Sequence, residues 1–349
     1  MPSNIVLVTG VGGELGGKLL ARLGNNPEFE RVIGVDTTPP PARVVTRMGR
    51  AEFVRADIRN PLIAKIISTA RVDTVVHAST TAHPAGPSRR LAVKEMNVIG
   101  TMRLLAACQS SPLVHKLVVK STAAVYGACA KSPAVFTEES PLVPTSARGY
   151  VSDAVEMEGY VRGLARRRPD IIVTMARFTN LIGPEVDTVT SRYFALPVVP
   201  TVLGYDARMQ LVHSADALTV LELATLQDKP GVFNVSGDGV LTLSQAIRRA
   251  GRVELPLPRA VLPSARPVLR GAKLVDFSPD QLRLLNYGRV VDTTRLKEVF
   301  GYTPRWSTRE AFDDYVNGRA LRPVIDRRSV ASLARSIVLS AASGQASAH

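Results

Sequence analysis

Along the first half of the chain, short runs of β-branched and aliphatic residues alternate with helix-length amphipathic segments. IVLVTG, RVIGVD, AEFVRAD, DTVVHAS, HKLVVKST and IIVTMARF carry the strand pattern. Between them, ELGGKLLARLGN, LAVKEMNVIGTMRLLAACQ and VSDAVEMEGYVRGLARR carry the helical one. Parallel neighbours in a sheet are reached only through long crossovers, and those crossovers cover both faces. The alternation therefore predicts an α/β chain with a doubly wound parallel sheet. No repeat of fixed period interrupts it.

After Arg177 the pattern loosens. Prolines gather at Pro184, Pro197 and Pro200 and again across LPLPRAVLPSARP, which marks loops around a smaller unit of mixed α/β structure. RMQLVHSADALTVLELATL and PGVFNVSG read as returns to the first sheet. The expected organisation is a first domain over 1–177 with returns near 208–237, a second domain mainly over 178–320, and a basic tail over 321–349. SVASLARSIVLSAASGQASAH predicts a short amphipathic helix before a partly disordered end. Its apolar face is too short for an anchor and allows at most weak peripheral membrane contact.

Composition narrows this picture. The 349 residues suit one large or two fused domains, and 45% hydrophobic content supports a substantial core. No apolar run is long enough to span a bilayer, and MPSNIVLVTG lacks the basic start of an export signal. Two cysteines make no disulfide framework, so a cytoplasmic location is expected. Five scattered histidines and two distant cysteines form no metal-ligand set. The net charge of +14 favours anionic ligands, but the basic residues are scattered and no nucleic-acid motif accompanies them. No nucleic-acid partner is expected.

The candidate chemistry begins at N-I-V-L-V-T-G-V-G-G-E-L-G. Gly10, Gly13 and Gly16 lie between a strand and a helix that opens with Glu14 and Leu15. A tight turn, close backbone approach to a pyrophosphate and a helix N-terminus aimed at it all require such a segment. Asp36 ends the second strand twenty residues beyond Gly16, where a carboxylate accepts hydrogen bonds from the adenosine ribose. A 2′-phosphate would meet like charge there, which favours NAD over NADP, although Arg43 and Arg47 lie downstream. The first domain is thus read as a Rossmann-type, NAD-binding one.

Further motifs follow in order: Asp57-Ile58, His77-Ala78-Ser79, Asn97-Val-x-Gly100-Thr, Ser121-Thr122-Ala-Ala-Val-Tyr126-Gly127 and Arg177-x-x-Asn180-x-x-Gly183-Pro184. Together they resemble the NAD-dependent epimerase/dehydratase family of the extended short-chain dehydrogenase/reductase superfamily, from about Asn4 to Tyr315. The resemblance implies that Asp57 and Ile58 meet the adenine. It also implies that His77, Ala78, Ser79 and Ser121 line the cofactor and that Asn97 supports it. Thr122 and Tyr150 take the catalytic places, Tyr150 as general acid/base beside the nicotinamide, and Glu158 matches a family glutamate. Asn180 and Arg208 fall on the substrate side, with Arg283 or Arg289 as a second arginine. The implied substrate is a nucleotide-sugar or similar anion, with UDP-glucose/UDP-galactose interconversion the leading reaction, and the implied assembly is a homodimer.

One element departs from that pattern. The family lysine, four residues after the tyrosine, is Ala154 here. A free phenol titrates near 10, and a base acting near pH 7 needs roughly 4 kcal/mol of differential stabilisation that the lysine helps to supply. Lys120, which shares a strand face with Thr122, and Arg148, near Tyr150, are the available stand-ins. The alternative expectation is an NAD-binding sensor with weakened or lost catalysis.

Overall fold

The computed structural model describes residues 4–79, 94–144, 149–259 and 279–324. The expected strands form β1 (Ile5–Thr9), β2 (Arg31–Asp36), β3 (Glu52–Arg55), β4 (Thr74–His77), β5 (Lys116–Thr122) and β6 (Ile172–Phe178). Four short strands follow: β7 (Asn180–Ile182), β8 (Val198–Val202), β9 (Arg208–Met209) and β10 (Leu211–His213). β11 (Gly231–Val235) then returns to the first sheet beside β6. The result is a seven-stranded parallel sheet in the order β11-β6-β5-β4-β1-β2-β3. β12 (Leu241–Thr242) pairs with β9, β13 (Val253–Leu257) with β8, and β7 with β10.

The helices are α1 (Glu14–Gly24), α2 (Ala42–Val45), α3 (Leu62–Thr69), α4 (Thr101–Ser110), α5 (Tyr150–Arg167), α6 (Val189–Ala195) and α7 (Ser214–Leu226). They continue with α8 (Leu243–Arg249), α9 (Pro279–Tyr287), α10 (Thr294–Glu298) and α11 (Thr308–Gly318). A π turn over Glu95–Gly100 leads into α4.

Strand alternation sorts the core into two layers. Val6, Val8, Val76 and Val118 meet Leu19, Leu20 and Leu23 of α1 and Val220, Leu221 and Ala224 of α7. Leu7, Ile33, Val75, Leu117 and Val119 meet α3, α4 and α5 on the other face. Each buried Val, Leu or Ile side chain among these contributes about 1.5–3 kcal/mol of burial. A second core gathers Ile182, Phe194, Val199, Leu211, Leu243 and Phe312, with Phe194 and Phe312 edge-to-face at 4.9 Å.

Asp216, at the start of α7, ties the later chain back: its carboxylate accepts from the Tyr302 hydroxyl and from the Arg305 and Trp306 backbone N–H groups. At the sheet margin, the Asn234 N–H of β11 donates to Glu138 Oε1 at 2.7 Å, so a side chain closes part of that edge. Among the described residues, no helix is long and apolar enough to cross a membrane. The expectations for Arg148 and for the tail from residue 325 onward lie outside the described residues.

Candidate active site

The crevice forms where the chain reverses direction across the sheet, at the carboxyl ends of β1 and β4. Gly10 leaves β1 with φ +80, and a Cβ there would lie 2.7 Å from the Ser79 backbone, so both conformation and space require glycine. A Cβ at Gly12 would lie 2.2 Å from Thr38 Oγ1. The Gly12 N–H donates to Asp36 Oδ2 at 2.9 Å, while Asp36 Oδ1 accepts from the Thr38 N–H at 3.2 Å. The glycine loop and the Asp36 carboxylate are therefore one hydrogen-bonded unit.

α1 opens at Gly13 with no side-chain cap, which leaves its first N–H groups available to an anion. These features fit a dinucleotide. Counting every third glycine passes over Gly12, although the Gly12-Gly13 pair was a visible signal. Glu14 would place negative charge beside a pyrophosphate, but Arg43 and Lys18 both ion-pair with it, and Lys18 also reaches Glu185. Arg43 is thereby drawn to Glu14, which weakens the case for a 2′-phosphate. Leu15, in the first turn of α1, packs against the core.

Just beyond β3, Ile58 is buried and Asp57 is half-buried. Arg59 hydrogen-bonds both Asp57 oxygens, with Nη2–Oδ2 at 2.6 Å, and holds this carboxyl below its usual range. Adenine would meet an Asp57–Arg59 pair instead of a bare carboxylate. Ala78 is buried and Ser79 half-buried at the end of β4. Asn97 is buried, and its carbonyl accepts from the Thr101 hydroxyl.

Two expectations change at the side chain. The His77 ring is fully enclosed, with Nδ1 2.7 Å from Thr9 Oγ1 and Nε2 2.9 Å from Thr101 Oγ1. Burial, then the charge of Lys120, lowers its pKa to about 4. Ser121 is also enclosed and donates to Glu158 Oε1 at 2.6 Å. Strand alternation points both side chains into the packed layer, away from the surface of the crevice.

Thr122 ends β5 and caps the 3₁₀ turn Ala123–Tyr126, its Oγ1 accepting from the Ala124 N–H at 3.1 Å. A hydroxyl used as acceptor in this way keeps its own hydrogen to donate. α5 begins at Tyr150, directly after Gly149 with φ 136, and packs on that turn. Thr122 and Tyr150 are thus carried by touching elements. Ala154, 3% exposed, completes an apolar cluster with Ala123, Val125, Tyr126, Phe136, Val155 and Val291.

Beneath the turn runs a buried polar network. Arg177 forms a two-pronged pair with Glu158, Nε–Oε1 at 3.0 Å and Nη2–Oε2 at 2.7 Å. Its Nη1 donates to the Tyr126 hydroxyl at 2.8 Å, and that hydroxyl donates to Asn234 Oδ1 at 2.7 Å. Glu158 is therefore a structural anchor for the segment that carries Thr122.

Arg208 and Arg289 line a cavity of about 150 Å³ with Cys129, Phe136 and Tyr287. The Arg289 N–H donates to the Arg208 carbonyl, and Arg289 Nε donates to the Gly127 carbonyl at 2.9 Å. The cavity is thus joined through Arg289 to the turn that follows Thr122. Asn180 is half-buried at the start of β7. Cys129 is exposed, and a hydrogen bond from Ser132 lowers its thiol pKa, whereas burial raises that of Cys108 to about 12. Among the described residues, no group of three or more His, Cys, Asp or Glu side chains could hold a metal ion.

An uncharacterized protein of Mycobacterium tuberculosis (strain ATCC 25618 / H37Rv) is 50% identical over 328 residues, covering 94% of this chain and 87% of its own. Two solved structures share the fold. UDP-glucose 4-epimerase from Thermotoga maritima with UDP-glucose gives a TM-score of 0.69 at 22% identity, covering 90% of this chain and 98% of that one. dTDP-glucose 4,6-dehydratase from Bacillus anthracis with NAD gives 0.70 at 19% identity, covering 91% and 97%. The model of the NAD dependent epimerase/dehydratase family matches residues 6–236. With that match spanning the glycine loop, Asp36, Thr122 and Tyr150, the chain belongs to the NAD dependent epimerase/dehydratase family.

Proposed function

We propose that the protein is an NAD-dependent oxidoreductase of the epimerase/dehydratase type acting on a nucleotide-sugar. The observation that supports this best is the placement of Thr122 and Tyr150 on touching elements beside a cavity that presents Arg208 and Arg289. Two guanidinium groups match the two charges of a sugar-nucleotide pyrophosphate. NAD, held by the glycine loop and Asp36, supplies the hydride acceptor. Tyr150 takes the proton from the substrate hydroxyl, and the Thr122 hydroxyl donates a hydrogen bond to the same oxygen. Asn180 orients the substrate near its phosphates.

The reading is tested by releasing and identifying the small molecules that copurify, then offering UDP-glucose and UDP-galactose and measuring their interconversion. Bound NAD with interconversion is the expected result; a protein that copurifies with no dinucleotide and binds none overturns it. Ala154 favours the second reading, a dinucleotide sensor, which predicts tight NAD binding without turnover of any nucleotide-sugar.

The assembly proposed here is a homodimer through α4 and α5. Ile99 and Met102 are 40% and 42% exposed beside α5, where Gly159 has no neighbour within 4 Å of a Cβ position. Gly159→Arg is expected to convert the dimer to monomer, with light scattering after size exclusion as the measurement. A variant that still scatters as a dimer excludes this face.

A further inference from the structure

β5 lies inside the sheet between β4 and β6, and its side chains alternate between the two cores. Val118 enters the layer with α1 and α7, whereas Leu117 and Val119 enter the layer with α3 to α5. Ser121 continues the second series, as its bond to Glu158 of α5 shows. Lys120 and Thr122 therefore belong to the Val118 face. A lysine at such a place is unusual, because burial of an ammonium costs more than a strand residue gains.

The pairing of β4 with β5 ends at His77 opposite Val119. Lys120 is thus the first β5 residue beyond the end of β4, where the chain leaves the sheet through Ala78 and Ser79 and Ser79 meets Gly10. This is the carboxyl edge of the sheet, with β4 alone between Lys120 and the β1 strand that leads into the glycine loop, and Thr122 two residues further along β5. Lys120 stays partly exposed there. Burial lowers its pKa to about 8, which leaves the ammonium mostly charged at neutral pH. Its charge is also felt at His77.

We propose that Lys120 is the cation of the hydride-transfer centre, supplying from the sheet, toward the nicotinamide half of bound NAD, the charge that Ala154 does not supply from the helix. The proposal rests on the NAD-dependent reading above. A cation near an oxidised nicotinamide raises its energy relative to the neutral reduced form, which favours hydride acceptance. Ala154 cannot do this, since its methyl group fills an apolar cluster.

The test needs no sugar substrate. Full-length protein, Lys120→Met and Lys120→Arg are loaded with NAD, their affinities are measured by calorimetry, and sodium cyanoborohydride is added. Formation of reduced nicotinamide is followed by its near-ultraviolet absorbance. Lys120→Met is expected to bind NAD within a few-fold of the parent and be reduced about tenfold more slowly or worse, while Lys120→Arg keeps most of the parent rate. A merely structural lysine would change thermal unfolding but not this rate at full NAD occupancy. Equal rates for the parent and Lys120→Met with NAD bound overturn the proposal and leave the family reading intact. Failure of the parent to bind NAD overturns both. If Lys120→Met does not fold, Lys120→Gln, which keeps a polar head without charge, carries the same two outcomes.

Discussion

Tyr150→Phe is expected to reduce nucleotide-sugar turnover by about 10²–10⁴-fold, the range a positioned acid/base contributes, with NAD affinity nearly unchanged. The phenol stands on the first turn of α5, and the variant removes one oxygen without altering helix or cradle. The loss should therefore fall on kcat more than on KM, because proton transfer and not binding is lost. Thr122→Ala should cost less in rate, since it removes one hydrogen bond to the substrate oxygen, although it also uncaps the turn at Ala124. Steady-state kinetics on UDP-glucose and UDP-galactose, alongside calorimetry with NAD, check both. Full activity in Tyr150→Phe would remove Tyr150 from the mechanism.

The second large effect concerns stability. Glu158→Ala is expected to destabilise the fold by about 3–5 kcal/mol, because it leaves the Arg177 guanidinium buried without its counter-charge. Glu158 and Arg177 are 0% and 2% exposed, so water cannot take over the lost partner. Ser121 loses its acceptor in the same step. The paired replacement Glu158→Leu with Arg177→Met should cost much less, since it removes both charges and keeps volume. Urea unfolding of the two variants distinguishes these cases. Equal losses in both would show that packing, and not the charge pair, dominates. Because Arg177 also donates to Tyr126 at the end of the turn that carries Thr122, the single variant should lose activity below its unfolding midpoint too.

Much of the first sheet was legible because its signals are local. Runs of β-branched and aliphatic residues mark β1 to β6 within a residue or two. The glycine loop and Asp36 were readable for the same reason, since fixed spacing reflects one continuous β-α-β unit. The second core was not readable in this way. Ile182 packs with Phe312 across more than a hundred residues, and β9 and β12 are two residues long, so no periodicity marks them. Arg289 became a partner of Arg208 only through a backbone hydrogen bond that joins distant segments. His77 and Ser121 sit at motif positions, yet the strand pleat turns both side chains inward. Asp57 is engaged by Arg59, a neighbour whose reach spacing alone does not reveal.

A parallel sheet with free margins invites a stray strand, and this sheet has two margins. At β11 the Asn234 N–H is already taken by Glu138, so an incoming chain would first have to displace a carboxylate from a half-buried setting. At β3 the four residues begin with Glu52 and end with Arg55, and Glu52 is further clasped by Arg31. A short, charged border of this kind resists edge-to-edge growth. The architecture thus carries its own guard against aggregation at both flanks, independent of whatever chemistry takes place in the cleft between them.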